Sequence, residues 1–289
     1  MVSPCFFAPV LTQNAVEMQW SSPLGLAIGV YLVRRGLLEP LQWRLPTIAG
    51  LSMCGRYTLL AQAEELAVEF DLAEPVQIAP RYNIAPSQEV PIVRLASSSE
   101  MAVVRISETS GKRRLDILRW GLIPHWAKDE KFGYKTINAR AETVATQPSF
   151  RDAFRKRRCL VPANGFYEWQ KSMQAGKEVK QPHYIRRKDG RPMALAGLWE
   201  RWAGPDGKVI ESFTIITTDA NEVMSPYHNR MPVILRPEDY NLWLSPDANG
   251  EQLQSLLVPC PADWLVVSPV SKQVNSTRND DPSCIVELS

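Results

Sequence analysis

The chain has 289 residues, enough for one large domain or two small ones around a sizeable buried core. Apolar residues make up 45% and charged residues 22%, the make-up of a globular protein rather than a disordered, collagenous or fibrous one. Thirty-three Lys and Arg against 31 Asp and Glu leave +2, so a nucleic-acid or membrane partner has to be held by local clusters, not by a global field. The five cysteines, at positions 5, 54, 159, 260 and 284, are scattered and no two have CxxC spacing. That pattern implies a reducing, cytoplasmic location and neither a metal nor a cofactor. The apolar run at 23–33 is far shorter than the ~18 residues of a membrane span, so no membrane partner is expected.

Residues 1–52 carry prolines at 4, 9, 23, 40 and 46 and no sustained helix or strand period, and read as a poorly ordered leader outside the mature protein. Residues 53–289 read as one domain. An amphipathic helix is expected over 62–70, where Leu66 and Phe70 are four apart. Runs of β-branched and aromatic residues bounded by Gly, Pro, Asn or Asp predict strands at 101–106, 115–120, 159–162, 165–169, 183–187, 193–198, 213–217, 233–235 and 264–267. Ser149 suits the N-cap of a helix running to Arg158, Pro237 the first turn of another, and 251–257 a third. Few helices among many strands mean an α+β fold: a single domain with a strongly curved, mostly antiparallel sheet or open β-barrel.

Four polar clusters interrupt the apolar strand material. In Met53-Cys54-Gly55-Arg56-Tyr57, loss of Met53 would leave Cys54 with a free α-amine beside its thiol; the alternative is a small buried apolar residue. In the second, Asn138 and Arg140 are two apart and share one face of an extended segment. Together they suit a phosphate or carbonyl oxygen, unless Arg140 simply pairs with an acidic neighbour. Glu168, alone among Phe166, Tyr167 and Trp169, is either a desolvated carboxyl of raised pKa, fit for acid–base work, or a strand residue facing solvent. His228, one of three histidines, lies in a Pro-bounded loop before an apolar strand. Basic runs at 112–114, 155–158 and 186–188 are interleaved with Trp120 and Trp126, as in grooves that track phosphates and stack bases of single-stranded nucleic acid. Core packing is the alternative for these two rings, with one of them expected inside.

These clusters belong to a longer series: MCGRYTL (53–59), APRYNIAPSQ (79–88), RWGLIPHWAKD (119–129), TINARAET (136–143), RRCLVPANGFYEW (157–169), ALAGLWE (194–200), FTIITTDAN (213–221), HNRMPVIL (228–235) and VNSTRND (274–280). In this order they resemble the SRAP family, the SOS response-associated peptidase-like proteins, over essentially all of residues 53–289. The resemblance implies a monomeric protein that binds abasic sites in single-stranded DNA and attaches to them covalently, nucleoid-associated when on DNA. It assigns Cys54 as nucleophile, Asn138 to positioning, Glu168 to acid and base, and His228 to proton transfer and sugar opening. It also implies Arg56 and Arg140 as phosphate holders and removal of the residues before Cys54, by the protein itself among other routes. The chain departs from the family string at Asn164, where Asp is usual. Two rival functions follow from the same residues: a Cys/His peptidase acting on other proteins, and a non-covalent single-strand binding module.

Overall fold

A computed structural model describes residues 55–96, 113–174 and 176–288, together with the backbone of 10–12, 15–22, 25–34 and 37–40. Two compact units result, Met1–Leu51 and Ser52–Ser289. In the first, β1 (Val10–Thr12), β2 (Ala15–Ser22), β3 (Gly25–Arg34) and β4 (Leu37–Pro40) pair in chain order as an antiparallel sheet. The sequence reading finds no strand period here. A near-continuous apolar run such as GLAIGVYLVR shows none, because alternation disappears when both phases are apolar.

The second unit is built from β5 (Tyr57–Leu59), β6 (Arg81–Ile84), β7 (Glu89–Leu95), β8 (Arg113–Trp120), β9 (Asn138–Arg140), β10 (Arg158–Ala163), β11 (Gly165–Gln174), β12 (Lys177–Arg187), β13 (Met193–Ala203), β14 (Val209–Asp219), β15 (Arg230–Pro232), β16 (Ile234–Leu235) and β17 (Leu265–Pro269). Pairing runs β14 to β8, β8 to β7, β7 to β10, β10 to β13 and β13 back to β14, so these five strands close on themselves. Closure leaves no long edge unpaired in that ring. The expected α+β fold with a strongly curved, mostly antiparallel sheet is thus found, closed rather than open. A second antiparallel sheet runs β17-β12-β11-β5-β6.

Helices decorate this frame. Ala63–Phe70 buries Leu66 and Phe70, as its four-residue spacing predicts. The helix near Ser149 spans only Arg151–Lys156 and follows Phe150 without a side-chain cap, so Ser149 is not its N-cap. It stops short of Arg158 because that residue enters β10, where its guanidinium donates to the carbonyls of Phe154, Trp243 and Ser245. Pro237 opens a single 3-10 turn, Pro237–Asp239, before the helix Tyr240–Leu244. Gly250–Ser255 is capped reciprocally by Asn249 and Gln252. The strand expected at 101–106 lies outside the described residues.

Trp120 ends β8 inside the main core, 1% exposed, edge-on to Tyr57 and stacked on Phe213. Its indole N–H donates to the Ile137 carbonyl at 2.9 Å. The reading of Trp120 as a base-stacking ring is therefore corrected: the strand's inward phase and a buried partner for the N–H hold it in the core. Trp126 is the ring on the surface, 48% exposed and edge-on to Phe132. Replacing Trp120 with Ala removes a fully packed ring and one of the two hydrogen bonds the Ile137 carbonyl accepts, leaving it the Ile215 N–H at 3.2 Å. A loss of about 3–5 kcal/mol is expected from urea unfolding; a midpoint within error of the parent would contradict this packing.

Candidate functional site

Strand β14 positions half of the site. Its first part is flanked by β13 and β8, and where β8 leaves at Phe213, β9 takes over in parallel, with Ile215 opposite Asn138 and Thr217 opposite Arg140. Thr217 also pairs with Pro232 of β15. Within β9 the side chains alternate: Ala139 is buried at 1%, Asn138 is half-buried and Arg140 is exposed. The segment entering β9 is held by backbone contact. Gly121, at φ +120, and Gly133 approach so closely that a Cβ on either would lie 2.6 Å from the other's carbonyl oxygen. Thr136 adds a 2.6 Å bond from its hydroxyl to the Leu122 carbonyl.

Strand β11 positions the other half. Residues 165–168 are all buried, because one face meets the main core and the other a second cluster of Tyr167, Tyr184, Val270, Val274 and Cys284. Glu168 is thus a buried carboxyl, 4% exposed, and not a solvent-facing strand residue. On one side β11 pairs with β5, and the Tyr167 N–H donates to the Arg56 carbonyl at 3.0 Å. Residues 55–56 therefore run beside Tyr167 and Glu168. Gly165 lets the Tyr184 ring of β12 lie across β11 and bond the Thr58 hydroxyl of β5 at 2.8 Å, since a Cβ there would be 2.4 Å from that ring. Asn164, where the family carries Asp, accepts from the Leu60 and Ala61 N–H groups at 2.7 and 3.0 Å through its amide oxygen, so both backbone donors are satisfied without a charge.

On the other side of β11, Glu168 stands directly opposite His183 of β12, which puts both side chains on one face. His183 is buried at 7%; its Nδ1–H donates to the Gln181 carbonyl at 3.0 Å, and burial lowers its pKa. Its ring meets Tyr227 at 4.6 Å, while Gln170, on the same face as Glu168, donates to the Pro226 carbonyl at 3.5 Å. These two contacts dock the loop carrying His228 onto the Glu168 face. Within the loop, Asn221 accepts from Met224 N and His228 N donates to the Met224 carbonyl.

His228 Nδ1 accepts the Arg230 backbone N–H at 3.0 Å, so the neutral ring carries its proton on Nε2. Burial holds its pKa below the ordinary imidazole value, and the Arg230 guanidinium pushes the same way. Arg230 itself is buried. Its guanidinium grips both Glu142 oxygens at 2.6 and 2.9 Å, Asp219 at 2.7 Å and the Thr217 carbonyl at 2.6 Å. Arg230 therefore ties the His228 loop to the segment just beyond Arg140. Arg140 has no carboxylate within ion-pair distance among the described residues. Arg56 gives one Nη to Asn83 Oδ1 (2.9 Å) and the Val274 carbonyl (2.8 Å) and lies 5.9 Å from the Trp169 ring.

Sequence reasoning singled out Asn138, Arg140, Glu168 and His228 but missed His183 and Arg230. A cross-strand partner is invisible without the β11–β12 register, and Arg230 reads as one more basic residue until its three acceptors are in place. Cys54 lies outside the described residues. Cys159, Cys260 and Cys284 are buried, and burial pushes their thiols up, Cys260 to about 12, so none offers a thiolate near neutral pH. Among the described residues no group of three His, Cys, Asp or Glu could hold a metal, and no helix is long and apolar enough to cross a membrane.

The model of the SOS response associated peptidase (SRAP) family matches residues 53–277. This chain belongs to the SRAP family. It is 42% identical over 237 residues to the abasic site processing protein YoqW of Bacillus subtilis (strain 168), covering 81% of this chain and 99% of that one. The mouse abasic site processing protein HMCES is 31% identical over 241 residues, covering 73% of this chain and 66% of that one. A solved structure of a protein from Bacteroides thetaiotaomicron superimposes with a TM-score of 0.69 at 28% identity, over 82% of this chain and all of that one.

The Arg230 grip holds the Glu142 carboxyl below its ordinary pKa of 4.5. A depressed carboxyl contributes its stability above the unfolded-state pKa and loses it as pH falls through the folded-state value. Glu142→Gln should therefore be less stable than the parent near neutrality, with the difference shrinking to nothing in acid. Urea midpoints measured across that range check this; a gap that does not change with pH would show the ion pair contributes nothing.

Proposed function

We propose that the protein captures abasic sites in single-stranded DNA through a covalent thiazolidine link to Cys54. One observation carries this reading: β11 lays residues 55–56 along Glu168 while the His228 loop docks on that carboxyl's face, so acid–base groups converge where the chain leaves Cys54. The names of YoqW and HMCES support the same substrate.

The chemistry follows from the groups. A ring-opened abasic sugar presents an aldehyde, which an uncharged amine attacks to give an imine and water. An α-amine of pKa ~7.7–8.0 is far richer in the reactive form near neutrality than a lysine of pKa ~10.4. The Cys54 thiol then adds to the imine carbon and its proton passes to the nitrogen, closing a five-membered ring. Well-oriented intramolecular attack of this kind carries effective molarities of ~10⁵ M or more. Glu168 takes the proton of the α-ammonium and returns one to the departing water. His228 donates from Nε2 to the sugar oxygen as the ring opens, Asn138 orients the terminus and the sugar, and Arg56 and Arg140 hold the flanking phosphates. Cys54→Ala should abolish the adduct with an abasic single strand on denaturing gels while leaving non-covalent binding nearly unchanged, and Glu168→Gln should slow its formation by roughly 10²–10⁴. Cleavage of protein substrates without any DNA adduct would favour the peptidase reading instead, and binding without an adduct the non-covalent module.

The mechanism requires Cys54 to be the first residue, since an amide nitrogen has no basic lone pair. Residues 1–53 are then absent from the active protein, either because translation starts at Met53 and that methionine is removed, or because Glu168 and His228 serve to cleave the bond before Cys54. The start of the family match at residue 53 supports this. Intact-mass analysis of protein made from its native gene should show Cys54 at the N-terminus. A chain that keeps residue 1 and still crosslinks abasic DNA would refute the α-amine mechanism.

A further inference from the structure

We propose that a basic cleft on the barrel, lined by His125, Asp152, Arg155, Lys156, Arg157 and Glu200, is a second anchoring site for the phosphodiester backbone of the strand that carries the lesion. This rests on the reading of the protein as a binder of single-stranded DNA. The cleft encloses about 440 Å³ and is built by three elements. The end of the helix Arg151–Lys156 supplies Arg155 and Lys156, both exposed. The residue between that helix and β10 is Arg157, and the facing part of β13 supplies Glu200, the two segments being joined where Trp199 N donates to the Arg157 carbonyl at 2.9 Å. The turn after Gly121 supplies His125, and that turn is pinned by Trp202 Nε1 donating to the Ala127 carbonyl at 2.8 Å and by Ile123 N donating to Ser212 Oγ at 2.8 Å.

The charges in the cleft are not balanced internally. Glu200, buried at 6%, accepts from Arg157 at 2.6 Å and from its neighbour Arg201 N at 3.0 Å, with His125 Nδ1 at 3.6 Å. Asp152 sits 3.5 Å from Arg151. Arg155 and Lys156 have no carboxylate within ion-pair distance among the described residues, so the cleft shows an excess of positive charge. A solvated charged face needs no buried carboxylate to hold a guanidinium and an imidazole at one spot, whereas a phosphate site uses such a scaffold to orient its donors.

Placement favours nucleic acid over an acidic peptide. Glu200 pairs with Ser212 on β14, and Asn138 pairs with Ile215 three residues further along the same strand. β14 lies between β13 and β9, so at the usual strand spacing and rise the cleft floor is two strands over and ~10 Å along the sheet from Asn138, and only a DNA strand longer than a few nucleotides reaches both. The chain joining His125 to Asn138 carries the exposed rings of Trp126 and Tyr134, 48% and 60% exposed, on which bases can stack.

The test compares the parent with the double variant Arg155→Glu, Lys156→Glu, both at exposed positions, on abasic single strands of about 4 and about 16 nucleotides. Thermal unfolding of the variant should match the parent. On the short strand, binding and adduct formation should be unchanged. On the long strand the slope of log K against log salt should fall by about 1.4, two phosphates' worth for a single strand. A parental slope on the long strand, or an equal loss on both lengths, would overturn the cleft assignment while leaving the abasic-site reading intact. A parent that binds neither strand would overturn both.

Discussion

Every backbone amide of β14 needs a partner, and the strand meets that requirement differently along its length. Up to about residue 213 its two edges are used by β13 and β8, which close the barrel. Beyond that point β8 has turned away at Gly121, and the freed edges are taken by β9 and β15. The site exists because of this handover. It puts Arg140, Thr217 and Pro232 in one row, with Asn138 on one flank and the His228–Arg230 segment on the other. The close approach of Gly121 and Gly133 is what allows β8 to leave and β9 to enter within so short a stretch.

The same frame sorts the cations. Arg113 and Arg158 are buried and donate to backbone carbonyls of Phe70 and of Phe154, Trp243 and Ser245, so two members of the basic runs serve the core. Arg230 neutralises Glu142 and Asp219 and locks two site segments together. Arg140, Arg155 and Lys156 stay exposed without such partners among the described residues. Composition counts all of these alike, yet only the last group is placed to meet an external anion. On the proposed function, that is how a chain of nearly zero net charge would bind a polyanion: locally, with the remaining charge consumed inside.

Much of this was legible in the sequence, and what was not has identifiable causes. The strands at 159–162, 165–169, 193–198 and 213–217 announce themselves by β-branched and aromatic runs bounded by turn residues. The strand at Arg81–Ile84 and the one holding Pro91 do not, since Pro, Asn and Arg mask the pattern. Glu168 was ambiguous because burial on both faces of β11 erases the alternation that assigns a face. Trp120 and Trp126 are six residues apart in one motif, and only the first ends a barrel strand on its inward phase. Ser149 looked like a cap because Ser favours that position, but Phe150 lies against the core and sets the helix start one residue later.

The arrangement around His228 constrains how acid and base duties divide. With Nδ1 occupied by the Arg230 N–H, the neutral ring presents a donor at Nε2 and no lone pair, and its low pKa keeps it in that form near neutrality. Such a ring polarises a sugar oxygen without first gaining a proton, but it removes a proton from an amine only by breaking the bond to Arg230. The carboxyl of Glu168 is buried on the face where the loop docks, and a carboxylate is an acceptor in its ordinary ionised form. In the proposed mechanism this assigns proton abstraction from the approaching ammonium to Glu168 and donation toward the sugar to His228. The division is set by a single backbone amide two residues from the histidine, which is why the spacing of His228 and Arg230 matters as much as their identities.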